Sequence, residues 1–511
     1  MRGQPVEPGI YKTYDIIRHP YLMSSVTSAT VCKDPATKAT GNGWIDKSEK
    51  VRTRMSTARL DAESVNVSGR LERLPMTSYQ RRVFAAVATA WLADQVNVAL
   101  LVFLIGPIAA YFHLTKVQIG LLASMTFLGQ LIGNLIAGYI SDRFGRRLAF
   151  QLTMLVWGVG SFLAAGATGL VTLMLFRLII GIGVGGEAPV AQSILSEIIP
   201  ADKRGFYISF MEGFWAVGFV ISGLLAYTVL PVLGWRGVFV AVGILSLVIF
   251  WARQIIFESP RWLVDQGRFP EADAVLSHLE REVAAKWGRP LPAPRGYVPE
   301  TSQSHKNPFR ILFTSAYLRS TLMLAGLWFF ALLGYFGLTS WLAVILNQHG
   351  FSIIKSIFFV SMISVGGIPG FFAAGVLLER LGRKVTTALF LVMSAVLAYI
   401  YGHATGLSFL FAAGFLMQFF MFGMWCCLYA YTPELYPTRA RSTGSGVASA
   451  FGRVGAILGP IAVGFVISNI GQGAVFSLGA ASFVISAALV LTLGIETRGR
   501  VLEEISMQEE A

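Results

Sequence analysis

Charge is what this sequence has least of. Only 14% of its 511 residues are charged, where a soluble domain usually carries about 25%. Acids are scarcer than bases, 28 Asp and Glu against 41 Lys and Arg. There are three cysteines, Cys32, Cys426 and Cys427. They supply no disulfide framework, and neighbouring Cys426 and Cys427 sit in an apolar stretch as small buried side chains. The six histidines show no metal-ligand spacing, so neither a metal nor another cofactor is expected. Gly181-x-Gly183-x-Gly185 lies inside an apolar segment rather than between a strand and a helix, which excludes a nucleotide loop. No enzyme signature remains.

What the sequence has in abundance is apolar length. Hydrophobic residues make up 54%. Runs of 18 or more recur from Val83 to Gly494, the length of membrane-crossing helices. Within lipid each segment must satisfy its own backbone, so the expected class is all-α. About twelve spans fit, six on each side of a hydrophilic interruption. The organisation read from this is a disordered cytoplasmic extension over 1–80, a six-helix bundle over 81–257, a central loop over 258–319, a second bundle over 320–495 and a tail over 496–511. The extension does not resemble a signal peptide, and it is either a disordered arm or untranslated upstream sequence. Pro270 to Lys286 has the spacing of an amphipathic helix within the central loop.

The net charge of +13 follows the same plan. Lys and Arg collect in alternate short loops and in the central loop, as cytoplasmic loops of membrane proteins do. That excludes nucleic acid as a partner. It predicts a multi-pass protein of the inner (cytoplasmic) cell membrane with both termini cytoplasmic, surrounded by the lipid bilayer and monomeric.

One decapeptide occurs twice. Gly138-Tyr-Ile-Ser-Asp142-Arg143-Phe-Gly145-Arg146-Arg147 has a counterpart in Gly375-Val-Leu-Leu-Glu379-Arg380-Leu-Gly382-Arg383-Lys384, and subtracting 138 from 375 gives an offset of 237 residues. Two homologous halves are implied. Both copies resemble the loop signature of the major facilitator superfamily. Arg177-x3-Gly181-x-Gly183-x-Gly185, Glu197-x2-Pro200, Glu258-Ser-Pro260-Arg261, Pro433-Glu434-Leu-Tyr436-Pro437 and Glu496-Thr-Arg498 resemble the span signatures of its sugar and organic-ion porters. Gly185-Gly186-Glu187-x-Pro189, Met211-Glu212-Gly-Phe214-Trp215 and Tyr429-Ala-Tyr431-Thr-Pro433 are similar to bacterial nicotinate (niacin) transporters.

The resemblance implies secondary transport by alternating access, here proton-linked uptake of a small aromatic or heteroaromatic carboxylate such as nicotinate. A sugar, polyol or other organic-ion porter is the alternative within transport. A non-transporting sensor or scaffold is the alternative outside it. The resemblance also implies a cytoplasmic latch built from Gly138, Asp142, Arg143, Gly145, Arg146 and their counterparts Glu379 and Arg383. Pairs of Glu197 with Arg204, and of Glu434 with Arg439 or Arg441, would complement it.

Depth arithmetic places the chemistry. At 1.5 Å per residue, Arg177 lies about 12 Å from the outer end of its span, and Asp94 and Arg453 each about 16 Å from the inner ends of theirs. In a core of about 30 Å, all three fall near the midplane, where transporter sites form. A charged side chain there costs at least about 2.5–3.5 kcal/mol. Asp94 with Arg177 forms either a proton-coupling pair or a fixed ion pair. Arg453 is expected to hold the substrate carboxylate in its planar fork, or else to make a structural pair. Ring-wall candidates are Trp91, Trp215, Tyr335, Trp341, Trp425 and Tyr429. Related porters show D-x-x-D in the first span, whereas this chain has Asp94-Gln-Val-Asn97.

Overall fold

Helices follow one another from Val67 to Leu493 in the computed structural model, which describes residues 65–294, 308–348, 350–404, 406–437, 440–471 and 473–497. They are α1 (Val67–Glu72), α2 (Ser78–Phe112), α3 (Lys116–Phe144), α4 (Arg146–Ala165), α5 (Leu170–Ile198), α6 (Ala201–Leu245), α7 (Val248–Ile255), α8 (Pro260–Asp265), α9 (Phe269–Trp287), α10 (Pro308–Leu312), α11 (Ser315–Gln348), α12 (Ile353–Ser364), α13 (Gly367–Leu381), α14 (Arg383–Gly402), α15 (Leu407–Glu434), α16 (Arg441–Asn469) and α17 (Gly473–Leu493).

Their boundaries have local causes. Capping boxes start α2 at Thr77 with Gln80 and α3 at Thr115 with Gln118. At the repeated motif, Gly145 (φ 101°) and Gly382 (φ 96°) turn the chain between consecutive helices. Gly234 (φ 65°) breaks α6 into two spans after Pro231, and the second continues into α7. Helices α12 and α13 together make one interrupted span. Twelve membrane crossings result, in two six-helix halves.

The extension expected to be irregular up to residue 80 becomes helical well before that. Helix α1 docks onto α9 through Arg70, which bonds Asp273 at 2.6 Å and Glu280 at 2.9 Å, while Arg73 reaches Glu280 at 2.6 Å. The amphipathic pattern of the central loop forms α9, with Ala272, Leu276, Leu279 and Val283 buried. Residues 1–64 and 498–511 lie outside the described residues, as does Arg439.

The halves meet along two seams. On one, α3 runs antiparallel to α16: Gly120 faces Pro460, Ser124 Oγ donates to the Ile457 carbonyl at 2.6 Å, and Arg453 donates to Gln130. Beyond that point the seam parts, and a side chain added at Gly138 or Gly446 would meet nothing within 4 Å. On the other seam, α6 packs on α12 and α13 from Tyr227–Phe358 to Phe210–Phe372. The molecule is thus closed at the end away from the basic loops and parted toward them along α3–α16.

Candidate functional site

Between the halves lies a cavity with about 540 Å³ of space free of protein atoms, open solvent included. Its polar groups are few. Asp94 comes from α2, Gln130 from α3, Glu212 from α6 and Arg453 from α16. Trp91, Trp215, Phe336, Trp425 and Tyr429 supply aromatic wall. The Trp425 and Tyr429 rings stack with centroids 5.9 Å apart, and Trp215 meets Trp425 edge-on at 6.2 Å. A planar ligand with one ionised group suits this combination of ring faces and a single guanidinium.

Arg453 is fixed from across the seam. Its Nη1 donates to Gln130 Oε1, and it lies within electrostatic reach of Asp94 and Glu212. Asp94 is 1% exposed, accepts from Gln95 at 3.3 Å through Oδ2, and among the described residues leaves Oδ1 without a partner. Glu212 accepts from Gln192 at 2.9 Å. Glu187, behind the wall, accepts from Trp157 at 3.1 Å. The lining roles of Gln130 and Glu212 went unread in the sequence; their helical phase relative to Arg453 was the signal, but only the packing fixes that phase.

Several expected placements change. Arg177 and Asp94 do not pair. Arg177 instead bonds Thr126 at 3.0 Å and lines a separate cavity. Tyr335 sits one layer behind the wall, accepting from Trp215 at 3.2 Å. Trp341 is buried near the closed end of the seam, donating to the Pro460 carbonyl at 3.1 Å. The depth arithmetic gave height along the span but not the face of the helix, so it could not separate these cases.

At the basic-loop end, each half builds the same cluster. Glu258 accepts from the backbone N–H of Arg146 at 2.8 Å and Arg147 at 3.2 Å, capping α4. Glu496 accepts from Arg383 at 2.8 Å and Lys384 at 3.1 Å, capping α14. Carboxylates suit these sites because helix N-termini carry unpaired amides and partial positive charge. Arg146 pairs with Glu197 at 2.9 Å, and Arg383 with Glu434 at 3.1 Å. Ser259 donates to Glu197 and Thr497 to Glu434, the latter at 2.5 Å.

The latch residues therefore group within each half. Glu197 takes Arg146 rather than Arg204, and Glu434 takes Arg383 rather than Arg441. The amide-binding acid is Glu258, not Asp142. Asp142 is exposed, and its carbonyl accepts from Trp262 at 2.8 Å. Arg143 is exposed and bonds Tyr139 at 2.5 Å, and Glu379 reaches Arg383 at 3.2 Å from an exposed position.

Comparison with known proteins agrees with this architecture. The chain is 33% identical over 444 residues to a niacin transporter of Acinetobacter baylyi, covering 87% of this chain and 100% of that protein. It is 32% identical to a putative niacin/nicotinamide transporter of Bacillus subtilis, covering 83% and 98%. Among solved structures, the inward-open xylose transporter of E. coli superposes with a TM-score of 0.64 at 17% identity, over 84% of this chain and 99% of that one. The Major Facilitator Superfamily model matches residues 84–406 and 372–504, and the chain belongs to that superfamily of membrane transporters.

Proposed function

We propose that the protein is a proton-linked secondary transporter that takes up a small aromatic or heteroaromatic carboxylate, nicotinate first, by alternating access. The observation that carries this reading is Arg453. It is the guanidinium that lines a cavity with an aromatic wall, held in place by Gln130 and set at the seam between the two halves. A planar carboxylate can take charge-assisted hydrogen bonds from it while its ring lies among Trp91, Trp215, Trp425 and Tyr429. The names of the niacin-transporting relatives support the same substrate class.

Asp94 is the proposed proton carrier. It shares the cavity with Arg453, so substrate charge and proton charge act on each other directly. The parting of the α3–α16 seam marks this conformer as facing the basic-loop end, which the positive-inside rule makes cytoplasmic. Both termini then lie in the cytoplasm.

A second reading has its own observation. Asp94 and Glu212 give the cavity two carboxylates against one guanidinium, and an aromatic cage with acids suits an organic cation. One assay separates the two readings. Proteoliposomes are loaded at neutral pH, and uptake of labelled nicotinate, nicotinamide and a quaternary ammonium is measured with and without an acidic exterior. Proton-stimulated uptake of nicotinate alone is expected. Uptake of the cation, with none of the acid, would replace the first reading by the second. Asp94→Asn is expected to keep nicotinate counterflow and lose proton-driven accumulation; accumulation at the wild-type level would remove Asp94 from the coupling role.

A further inference from the structure

A second cavity of about 370 Å³ lies beside the first, sharing Trp215 and Phe336 with it. Arg177 lines it, 0% exposed, and neither Nη1 nor Nη2 has a hydrogen-bond partner among the described residues. Among the described residues its polar bond runs from Nε to Thr126 at 3.0 Å, and its guanidinium stands 5.9 Å from the Phe239 ring. A ring face offsets a buried cation only in part.

Among the described residues the buried acids of the cavity region bond groups other than Arg177. Asp94 faces the first cavity, Glu187 holds Trp157 and Glu212 holds Gln192. On the first span, close to the arginine's helix, stands Asn97, whose amide donates to Ser161 at 2.9 Å. Gly160, next to Ser161, packs on Ile180 of the arginine's own helix. An amide at Asn97 brings no charge. The chain thus buries a cation with two free donors in a cavity and withholds a counter-ion.

We propose that this cavity is a second anion subsite, in which a small monovalent anion, a carboxylate or a halide, bonds Arg177 Nη1 and Nη2. Ser340 and Thr339 of the other half line the same space, so the bound anion touches both halves where they are closed and stabilises this conformer. The carboxylate source rests on the proposed transport of an organic acid; the halide source does not.

Thermal unfolding of the purified full chain in halide-free HEPES–Tris buffer tests this, with chloride and nicotinate titrated separately. The variants are Arg453→Gln, Arg177→Gln and Asn97→Asp, the last placing a carboxylate on the chain itself. A rise in Tm of at least about 2 °C at saturating anion is expected for wild type and for Arg453→Gln. The rise disappears in Arg177→Gln and in Asn97→Asp, and Asn97→Asp has the higher Tm without added anion. Wild-type rises in Tm for both anions in Arg177→Gln, or in a folded Asn97→Asp should Arg177→Gln not fold, would overturn the subsite. An Arg177-dependent response to chloride, with none to nicotinate, keeps the subsite as a halide site and removes the substrate from it. Nicotinate uptake with no Arg177-dependent shift for either anion keeps the transport reading and removes the subsite.

Discussion

Arg453 carries its charge to a surface where its own half of the molecule lines the cavity with no acid. The carboxylates facing it, Asp94 and Glu212, both belong to the other half, and so does Gln130, its hydrogen-bond acceptor. Opening of the seam between α3 and α16 therefore changes its surroundings. A substrate carboxylate would give it a partner that travels with the cavity. Charge-assisted hydrogen bonds of this kind are worth about 1.5–3 kcal/mol, or about 10- to 150-fold in affinity. Arg453→Gln is expected to weaken nicotinate binding by that factor and to change nicotinamide binding by less than about threefold. Isothermal titration of the purified variant with each ligand checks this, and an equal loss for acid and amide would remove Arg453 from carboxylate recognition. Arg177 differs in kind: it lines the neighbouring cavity, and among the described residues its hydrogen bond goes to Thr126.

At the scale of elements, one feature of the basic-loop end follows from backbone rather than from charge. Gly145 has φ 101°, and a Cβ there would collide with the Glu258 carboxylate that caps α4. Gly145→Ala would combine a strained backbone with a displaced cap and is expected to cost at least about 1 kcal/mol. A drop in Tm is the measurement, and an unchanged Tm would mean the cap tolerates displacement.

The docking of α1 on α9 is expected to respond to pH. Burial raises the Glu280 carboxyl, but hydrogen bonds from Arg70 and Arg73 outweigh this and leave it below its ordinary range. A carboxylate depressed in the folded state stabilises above its unfolded pKa, about 4.3 for Glu, and loses that contribution as pH falls through the lower folded value. Hydrogen exchange across Val67–Glu72, corrected for intrinsic rates, should therefore stay slow at neutral pH and accelerate only in the acid range. Glu280→Gln should accelerate it already at neutral pH; identical protection in that variant would show that the ion pairs do not hold α1.

The sequence disclosed some of these elements and hid others for physical reasons. Apolar length and loop charge displayed the spans, and the repeated decapeptide displayed the two halves. The phase of each helix about its axis was not displayed, because these helices are apolar on nearly every face. For that reason height alone makes Asp94 and Arg177 partners, and the sequence does not show that Gln130 and Glu212 line the cavity. The acids that cap α4 and α14 were also present in the sequence, as Glu258 and Glu496, but each lies more than a hundred residues from its helix. Only the return of the chain to the same loop joins them.

At the scale of the whole molecule, one of the two seams between the halves, that of α3 with α16, is half closed. Along it Gly120 meets Pro460, Ser124 meets Ile457 and Gln130 meets Arg453. Successive partners step forward on α3 and back on α16 at nearly equal pace, and continuing that register brings Gly138 opposite Gly446. Both are open in this conformer. Rocking of one half against the other about the central cavity would close this end and open the far one. Gly138 then needs no side chain because α16 must approach it closely, which gives the repeated motif a steric role beyond its charges. Cysteines at 138 and 446, in a background without the native Cys32, Cys426 and Cys427, should cross-link under oxidation only when this end closes. Cross-linking should arrest nicotinate uptake, and reduction should restore it. A cross-linked protein that still transports at the uncross-linked rate would show that the seam need not open, and rocking about it would fail as the transport motion.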